Sequence, residues 1–291
     1  MFELILNPKK GERKPWSLFL VGLFYSALAL LFVNWVFLGN PVFMESTSIL
    51  IITFTVILSI PFVYYVFRIE EEKDVFEKEK HFLVKNHGKA IAALMWLFLG
   101  YLVAFSVLYV VLPKNIVAYD FKAQIEQYCI INSNNVQDCV ARYGIGGAIT
   151  NEISGLSMEE KQNRVINIFV NNIFVLIFCL VFSLAFGAGA IFILAWNASV
   201  IAAAMGIFSK ATLSELPLAF GRYMLHGIPE ILAYFIGALA GGIISIAIVR
   251  HDWRDERFWI ILQDSLDLIV LSIIILIIAA LMEVFITPAI F

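Results

Sequence analysis

Six polar side chains lie inside otherwise apolar stretches of this sequence, where they could do chemistry. They are Asn171, Asn172, Asn197, His226, Glu230 and Glu283. Polar groups are expensive inside a membrane, so an ionisable residue there indicates a functional site by default. If these side chains meet, their carboxylate, imidazole and amide groups would line a cavity that binds a cation, exchanges a proton or holds a small solute.

The segment HGIPE, residues 226–230, is the most informative of these positions. Pro229 fits the first turn of a helix, where its missing N–H costs nothing. Glu230 would then complement the positive end of the helix dipole, and it would share a face with His226. Two interpretations stay open: a proton-exchanging or cation-binding pair, or a carboxylate that only caps the helix beside a hydrogen-bonding histidine.

The other positions also have structural alternatives. Glu283 is close enough to the C-terminus to reach outer water, and Asn171 and Asn172 could serve only as hydrogen bonds between helices. His226 with Glu230 is the nearest approach to a metal site, but a catalytic zinc normally has three protein ligands. Glu283 could supply the third, so a metal at this pair is left unassigned.

No P-loop, dinucleotide-binding glycine pattern or HExxH zinc motif is present in the sequence. An enzyme is therefore not predicted, and no cofactor is expected. The basic residues are dispersed and the net charge is −3, which argues against a nucleic-acid partner.

The elements that position these residues must be transmembrane helices. Of 291 residues, 61% are hydrophobic and only 15% are charged, whereas soluble domains have about 25% charged residues. Runs of roughly 18 or more apolar residues can span a bilayer, and seven are present. They are Trp16–Leu38, Ser48–Phe67, Ala90–Leu112, Val165–Phe186, Ala190–Phe208, Ile228–Val249 and Phe258–Phe285. The prediction is an all-α, multi-pass protein of the cell membrane.

Orientation follows from lysine and arginine, which are retained in cytoplasmic loops. Most of these residues lie in the segments that an N-in, C-out topology places inside. The least certain stretch is 165–208, because only Gly187-Ala188-Gly189 separates its two apolar runs. A re-entrant hairpin there would leave five spans.

Three regions are predicted. Residues 1–112 hold a basic N-terminal segment, three spans and a charged cytoplasmic connector at 68–89, whose carboxylates precede lysines at helical spacing. Residues 113–164 are too polar for the membrane and predict a small helical outer cap. Residues 165–291 form a four-helix membrane bundle that carries the polar motif.

Cys129 and Cys139 both fall in the predicted cap. Nine residues separate them, which is enough to close a disulfide on the oxidising outer face. Gly237, Gly241 and Gly242 would let another helix approach the sixth span closely. The sequence does not decide whether that helix belongs to the same subunit or to a second copy.

The run from Asn172 through Asn197 to His226-Gly227-x-x-Glu230, followed by Gly237–Gly242, resembles the stage II sporulation protein M family. The N-terminal NPKKGERKPW and the connector FVYYVFRIEEEKD are similar to archaeal members. The resemblance implies a polytopic membrane fold. It departs at Ala198, where the family commonly has glycine after the asparagine. In spore-forming bacteria the family acts in engulfment beside wall-remodelling enzymes, a role that does not transfer to an archaeal cell without that wall.

Two hypotheses for the function remain. The first is a channel or transporter that passes a cation or small solute through the polar cavity. The second is a non-catalytic membrane scaffold that recruits protein partners through its cap and connector, with homo-oligomers left open. An intramembrane metal-dependent hydrolase is a remote third.

Overall fold

The computed structural model describes residues 16–76, 83–132, 136–143, 157–186, 190–209, 213–250 and 256–290. Within these ranges the chain is helical without strands, and seven helices are long and apolar enough to cross a membrane. This confirms the prediction of an all-α polytopic membrane protein with seven such helices. Both halves of 165–208 form helices of that kind, which favours two spans over a re-entrant hairpin. The N-in, C-out orientation stays a prediction.

Eleven α-helices are described along the chain. They are α1 Ser17–Phe37, α2 Thr47–Phe76, α3 Leu83–Val111, α4 Lys114–Asp120, α5 Lys122–Asn132, α6 Val136–Tyr143, α7 Met158–Phe186, α8 Ala190–Phe208, α9 Leu216–Arg250, α10 Glu256–Leu281 and α11 Thr287–Ile290. A π-helical segment, Met282–Ile286, joins α10 to α11. The basic N-terminal segment, residues 1–15, and residues 77–82 of the charged connector lie outside the described residues.

The membrane helices form two groups joined by α8. In the first group α1 packs against α3 and α2, and in the second α9 packs against α7 and α10. Helix α8 contacts both groups, since it packs on α2 and α3 as well as on α7 and α9. Because α8 is central, its apolar faces are occupied by protein rather than by lipid.

Helix α9 begins earlier than the sequence predicts. It starts at Leu216 rather than near Pro229, so the expectation that Glu230 lies in the first turn is wrong. Glu230 is fourteen positions after Leu216, which is roughly 21 Å of helix at about 1.5 Å per residue. Glu230 therefore lies inside the bundle and does not complement a helix terminus.

The glycines of α9 pack against a helix of the same chain. A side chain at Gly241 would meet the backbone oxygen of Leu180 at 2.6 Å, and one at Gly237 would collide with Leu176. Gly242 is buried on the same helix. Gly237 and Gly241 thus allow α7 and α9 to approach closely within one subunit, the arrangement that small residues permit in membrane helices.

Helices α4, α5 and α6 form a cap over one end of the bundle, called here the cap end. A disulfide joins Cys129 on α5 to Cys139 on α6. Helix α5 is attached to the membrane helices by hydrogen bonds from Gln124 to Ser199, at 3.2 Å, and between Tyr128 and Tyr223. The cap is therefore held on the bundle at several points.

Candidate functional site

The central contact of the site links two long helices. Asn172 on α7 donates a hydrogen bond from Nδ2 to Oε1 of Glu230 on α9, at 2.7 Å. The two residues are 58 positions apart in the sequence. Asn172 is buried, whereas Glu230 is only partly buried. An amide that donates to a carboxylate forms one of the stronger kinds of hydrogen bond, and here it fixes the carboxylate in place.

His226 lies one turn before Glu230 on α9 and contacts the C-terminal segment. Its Nδ1 is 3.1 Å from Oγ1 of Thr287. The Thr287 hydroxyl donates to the carbonyl of Met282 at 3.2 Å, so its oxygen is left to accept a hydrogen bond from the ring. This pattern assigns the proton of a neutral His226 to Nδ1 and leaves the lone pair on Nε2, where it can accept a proton or bind a cation.

Glu283 lies in the π-helical segment and reaches the same region. Wider π turns occur mostly as short interruptions of α-helices, frequently at functional sites. Glu283 is the second residue of this segment and is close enough to interact electrostatically with Glu230. Together Asn172, His226, Glu230, Glu283 and Thr287 form what we call the polar cluster.

The charges of the polar cluster are only partly balanced. Arg164, in the first turns of α7, interacts favourably with Glu283. Arg222 lies with its guanidinium 5.0 Å from the ring centre of Phe208, a cation–π contact. Arg222 also acts on the ring of His226. Among the described residues, the interactions that act on the Glu230 carboxylate come from Glu283 and Asn172 and include no arginine.

Two of the predicted residues are placed differently from the rest. Asn197 donates to the carbonyl of Ile193 on its own helix, at 2.7 Å, so its described hydrogen bond is local. Asn171 is exposed, and its amide only approaches Oδ1 of Asn172 at 3.4 Å. The structure thus brings together Asn172, His226, Glu230 and Glu283, whereas Asn171 contacts only Asn172 and the described bond of Asn197 stays within its own helix.

Three residues that belong with the cluster were not singled out in the sequence. Thr287 follows Glu283 by four positions, a helical spacing that is a usable signal. Tyr234 follows Glu230 by the same spacing, is buried, and interacts with both carboxylates. Arg164 carries no such signal, because it belongs to a polar stretch that precedes the apolar run of α7.

Metal-ligand geometry was the basis of the remote hydrolase alternative. Among the residues that the structure describes, no group of three or more His, Cys, Asp or Glu side chains is placed to hold a metal ion. His226 and Glu230 lie one turn apart on α9, but Glu283, which could have supplied a third ligand, does not complete a group of three with them. The hydrolase alternative gains no support from these residues.

Asn172, which is buried, and Asn197, which is partly buried, allow a matched test of the Asn172–Glu230 contact. We expect Asn172→Leu to lower the free energy of unfolding by about 1–2 kcal/mol, because Glu230 loses its donor inside the bundle. Asn197→Leu removes a bond to its own helix only, so its effect should stay below about 0.5 kcal/mol. The measurement is thermal or denaturant unfolding of the purified variants in detergent.

A larger loss of stability for Asn197→Leu than for Asn172→Leu would contradict this assignment. Both variants change the same side chain to the same residue on a membrane helix, so the difference between them isolates the interhelical contact. The effect of exchanging asparagine for leucine as such is common to both variants, so it cancels when their stabilities are compared.

Comparisons with known proteins agree with the membrane fold. The model of the stage II sporulation protein M family matches residues 89–288, a range that includes the whole polar cluster. An uncharacterized protein of Methanocaldococcus jannaschii is 31% identical over 150 residues, which are 48% of this chain and 84% of that protein. No solved structure matches the chain.

Proposed function

We propose that this chain, which belongs to the stage II sporulation protein M family, is a conduit in the cell membrane that passes a cation or small solute. It acts as a channel or a transporter, and the polar cluster is its binding site. The single observation that carries the proposal is that Glu230 and Glu283 lie close enough inside the helical bundle to interact electrostatically. Both residues lie on helices whose length and composition suit a membrane span.

Two carboxylates in one apolar environment are costly for a purely structural role. Like charges repel strongly where the dielectric constant is low, and each carboxylate also loses hydration. A cation or proton that binds between them removes both penalties. Arg164 offsets part of the charge, and the remainder favours a single positive charge that can arrive and leave.

The cluster is also built across several helical elements. Its members come from α7, from α9, from the segment that joins α10 to α11, and from α11 itself. A relative shift of these helices would change the distances between the two carboxylates and His226. Binding of a cation at the cluster would therefore be coupled to helix position, which is what alternating access requires.

A membrane scaffold is the second candidate, and a specific observation favours it. The bonds Asn172–Glu230 and His226–Thr287 both join separate helical elements. Such bonds stabilise a bundle by about 0.6 kcal/mol each on average. In this reading the cluster only holds the helices together, and the cap would carry the contacts to protein partners.

The test is a flux measurement on purified protein in sealed liposomes. Liposomes loaded with a pH-sensitive, a sodium-sensitive or a potassium-sensitive dye are exposed in turn to gradients of H⁺, Na⁺ and K⁺, with protein-free liposomes as the control. A conduit for a cation gives a protein-dependent flux for at least one of these ions. Flux equal to the protein-free control for all three, from folded protein, would refute a cation conduit and favour the scaffold.

A further inference from the structure

A buried carboxyl outside the polar cluster lies where the cap meets the first membrane helix. Asp120 is the last residue of α4 and is only 1% exposed. Its Oδ2 accepts a hydrogen bond of 2.7 Å from Nδ2 of Asn34, near the cap end of α1. The two residues are 86 positions apart in the sequence. This bond joins the cap directly to α1.

The other two side-chain oxygens of this pair lack a hydrogen-bond donor. Oδ1 of Asn34 and Oδ1 of Asp120 are both buried, and neither has a hydrogen-bond partner among the described residues. An ionised carboxylate is an acceptor only, so it cannot satisfy the amide oxygen. A protonated carboxyl has one O–H group. If Asp120 donates this group from Oδ1 to Oδ1 of Asn34, both unpaired oxygens gain a partner at once. An unsatisfied buried polar group costs about 1–3 kcal/mol.

The surroundings of Asp120 support a proton rather than a fixed counter-ion. Burial raises the pKa of Asp120 to about 6, against the opposing effect of the Asn34 N–H bond. Lys122, the nearest cation along the chain, is engaged by Glu45 in an ion pair. The titratable side chains on the elements packed against Asp120 are Tyr25 on α1, Glu45 before α2, Lys114 and Tyr119 on α4, and Lys122, Glu126 and Tyr128 on α5.

We propose that Asp120 and Asn34 form a proton-binding site, in which one proton from the water at the cap end closes a two-bond acid–amide pair that holds the cap on α1. In this pair Asn34 donates its N–H to one carboxyl oxygen, and Asp120 donates its O–H to the amide oxygen. The proton returns to water when Asp120 ionises, and only the Asn34 N–H bond then remains. The proposal does not depend on the conduit function.

The direction of the pH effect follows from the raised pKa. The folded chain holds the Asp120 proton up to about pH 6, whereas the unfolded chain releases it near its ordinary value of about 4. The stabilisation is therefore complete below about pH 4 and is lost progressively as the pH rises to about 6. Above that range it is absent.

The test compares three forms of the full chain in nanodiscs between pH 4.5 and pH 7. The wild-type melting temperature should fall by roughly 5 °C more over this range than that of Asp120→Asn. Asparagine at position 120 supplies a permanent N–H in place of the carboxyl O–H, so this variant should stay as stable as the acid form at both pH values. Asp120→Ala has no donor and should be less stable than Asp120→Asn throughout.

Infrared difference spectroscopy reads the same proton directly. A C=O stretching band of a protonated carboxyl should be present at pH 5, disappear with a midpoint near pH 6, and be missing in Asp120→Asn. Equal pH dependence of wild type and Asp120→Asn, or no such band at pH 5, would overturn the proposal. The titration is repeated in NaCl and in choline chloride. A midpoint that moves with Na⁺ would show that a metal cation occupies the site, which would also overturn it.

Discussion

Replacing Glu230 by glutamine is expected to abolish cation flux through reconstituted protein while the fold survives. Glutamine keeps an oxygen in the position that accepts the hydrogen bond of Asn172, at 2.7 Å in the wild type. It removes the charge that, together with Glu283, attracts the cation. Flux should fall to the rate of protein-free liposomes, and the melting temperature should stay within a few degrees of the wild type. Glu283→Gln is expected to behave in the same way.

The matched control is Glu215→Gln, because Glu215 is exposed and lies before α9. The chemical change is identical, and only the location differs. Flux of this variant should equal that of the wild type. If Glu230→Gln conducts as well as Glu215→Gln, the polar cluster is not the binding site, even if the protein proves to be a conduit. If Glu230→Gln fails to fold, its lost flux says nothing, and Glu283→Gln decides the question.

The largest loss of stability is expected from Gly100→Ala, at the crossing of α1 and α3. A methyl group at Gly100 would run into the backbone oxygen of Phe19 and lie 2.7 Å from the backbone nitrogen of Leu23. Backbone atoms of a helix cannot rotate aside, so the two helices must separate. Overpacking of this kind costs about 1–3 kcal/mol, and the value here should be near the upper end. Unfolding in detergent measures it.

Gly88→Ala provides the control for this substitution, since Gly88 lies on the same helix and has nothing within 4 Å of the added methyl group. That variant should be neutral or more stable by up to about 1 kcal/mol, because alanine favours helix over glycine. Gly22→Ala, on the other side of the crossing, would meet the backbone oxygen of Leu97 and should resemble Gly100→Ala. Equal stability of Gly88→Ala and Gly100→Ala would contradict the close approach of α1 and α3.

The cap and the polar cluster are connected through α5 and α9. Tyr128 on α5 is hydrogen-bonded to Tyr223 on α9, and the ring of Tyr223 lies 6.5 Å from that of His226. Tyr128 is adjacent to Cys129, which the disulfide holds in place. A change in how the cap sits on α1 would reach the cluster along this route. The proposed proton at Asp120 and the proposed cation at Glu230 would then influence each other.

The amino-acid sequence by itself determined the class of the protein and the number of membrane helices. Apolar runs of sufficient length can satisfy their backbone hydrogen bonds in lipid only as helices, so the seven spans follow from local composition. The nine residues between Cys129 and Cys139 similarly allowed their disulfide to be anticipated. Polar groups are costly inside a membrane, and for this reason His226, Glu230 and Glu283 could be identified from the sequence.

Only the tertiary structure decided which of these groups meet. The contact between Asn172 and Glu230 depends on how α7 and α9 are rotated about their axes. Gly237 and Gly241 fix this arrangement because they allow the two helices to pack closely. Glu283 joins the cluster from a π-helical segment, and Thr287 joins it from the short helix that follows. No local pattern predicts that π-helical segment.

The Asn34–Asp120 pair is the clearest example of a contact that the sequence does not predict. Each residue is unremarkable in its own stretch of sequence, and 86 positions separate them. Helix lengths and polar positions are local properties of the chain, and they can be read from the sequence. The pairing of distant side chains depends on how all the helices pack at once, so it becomes visible only in the folded structure.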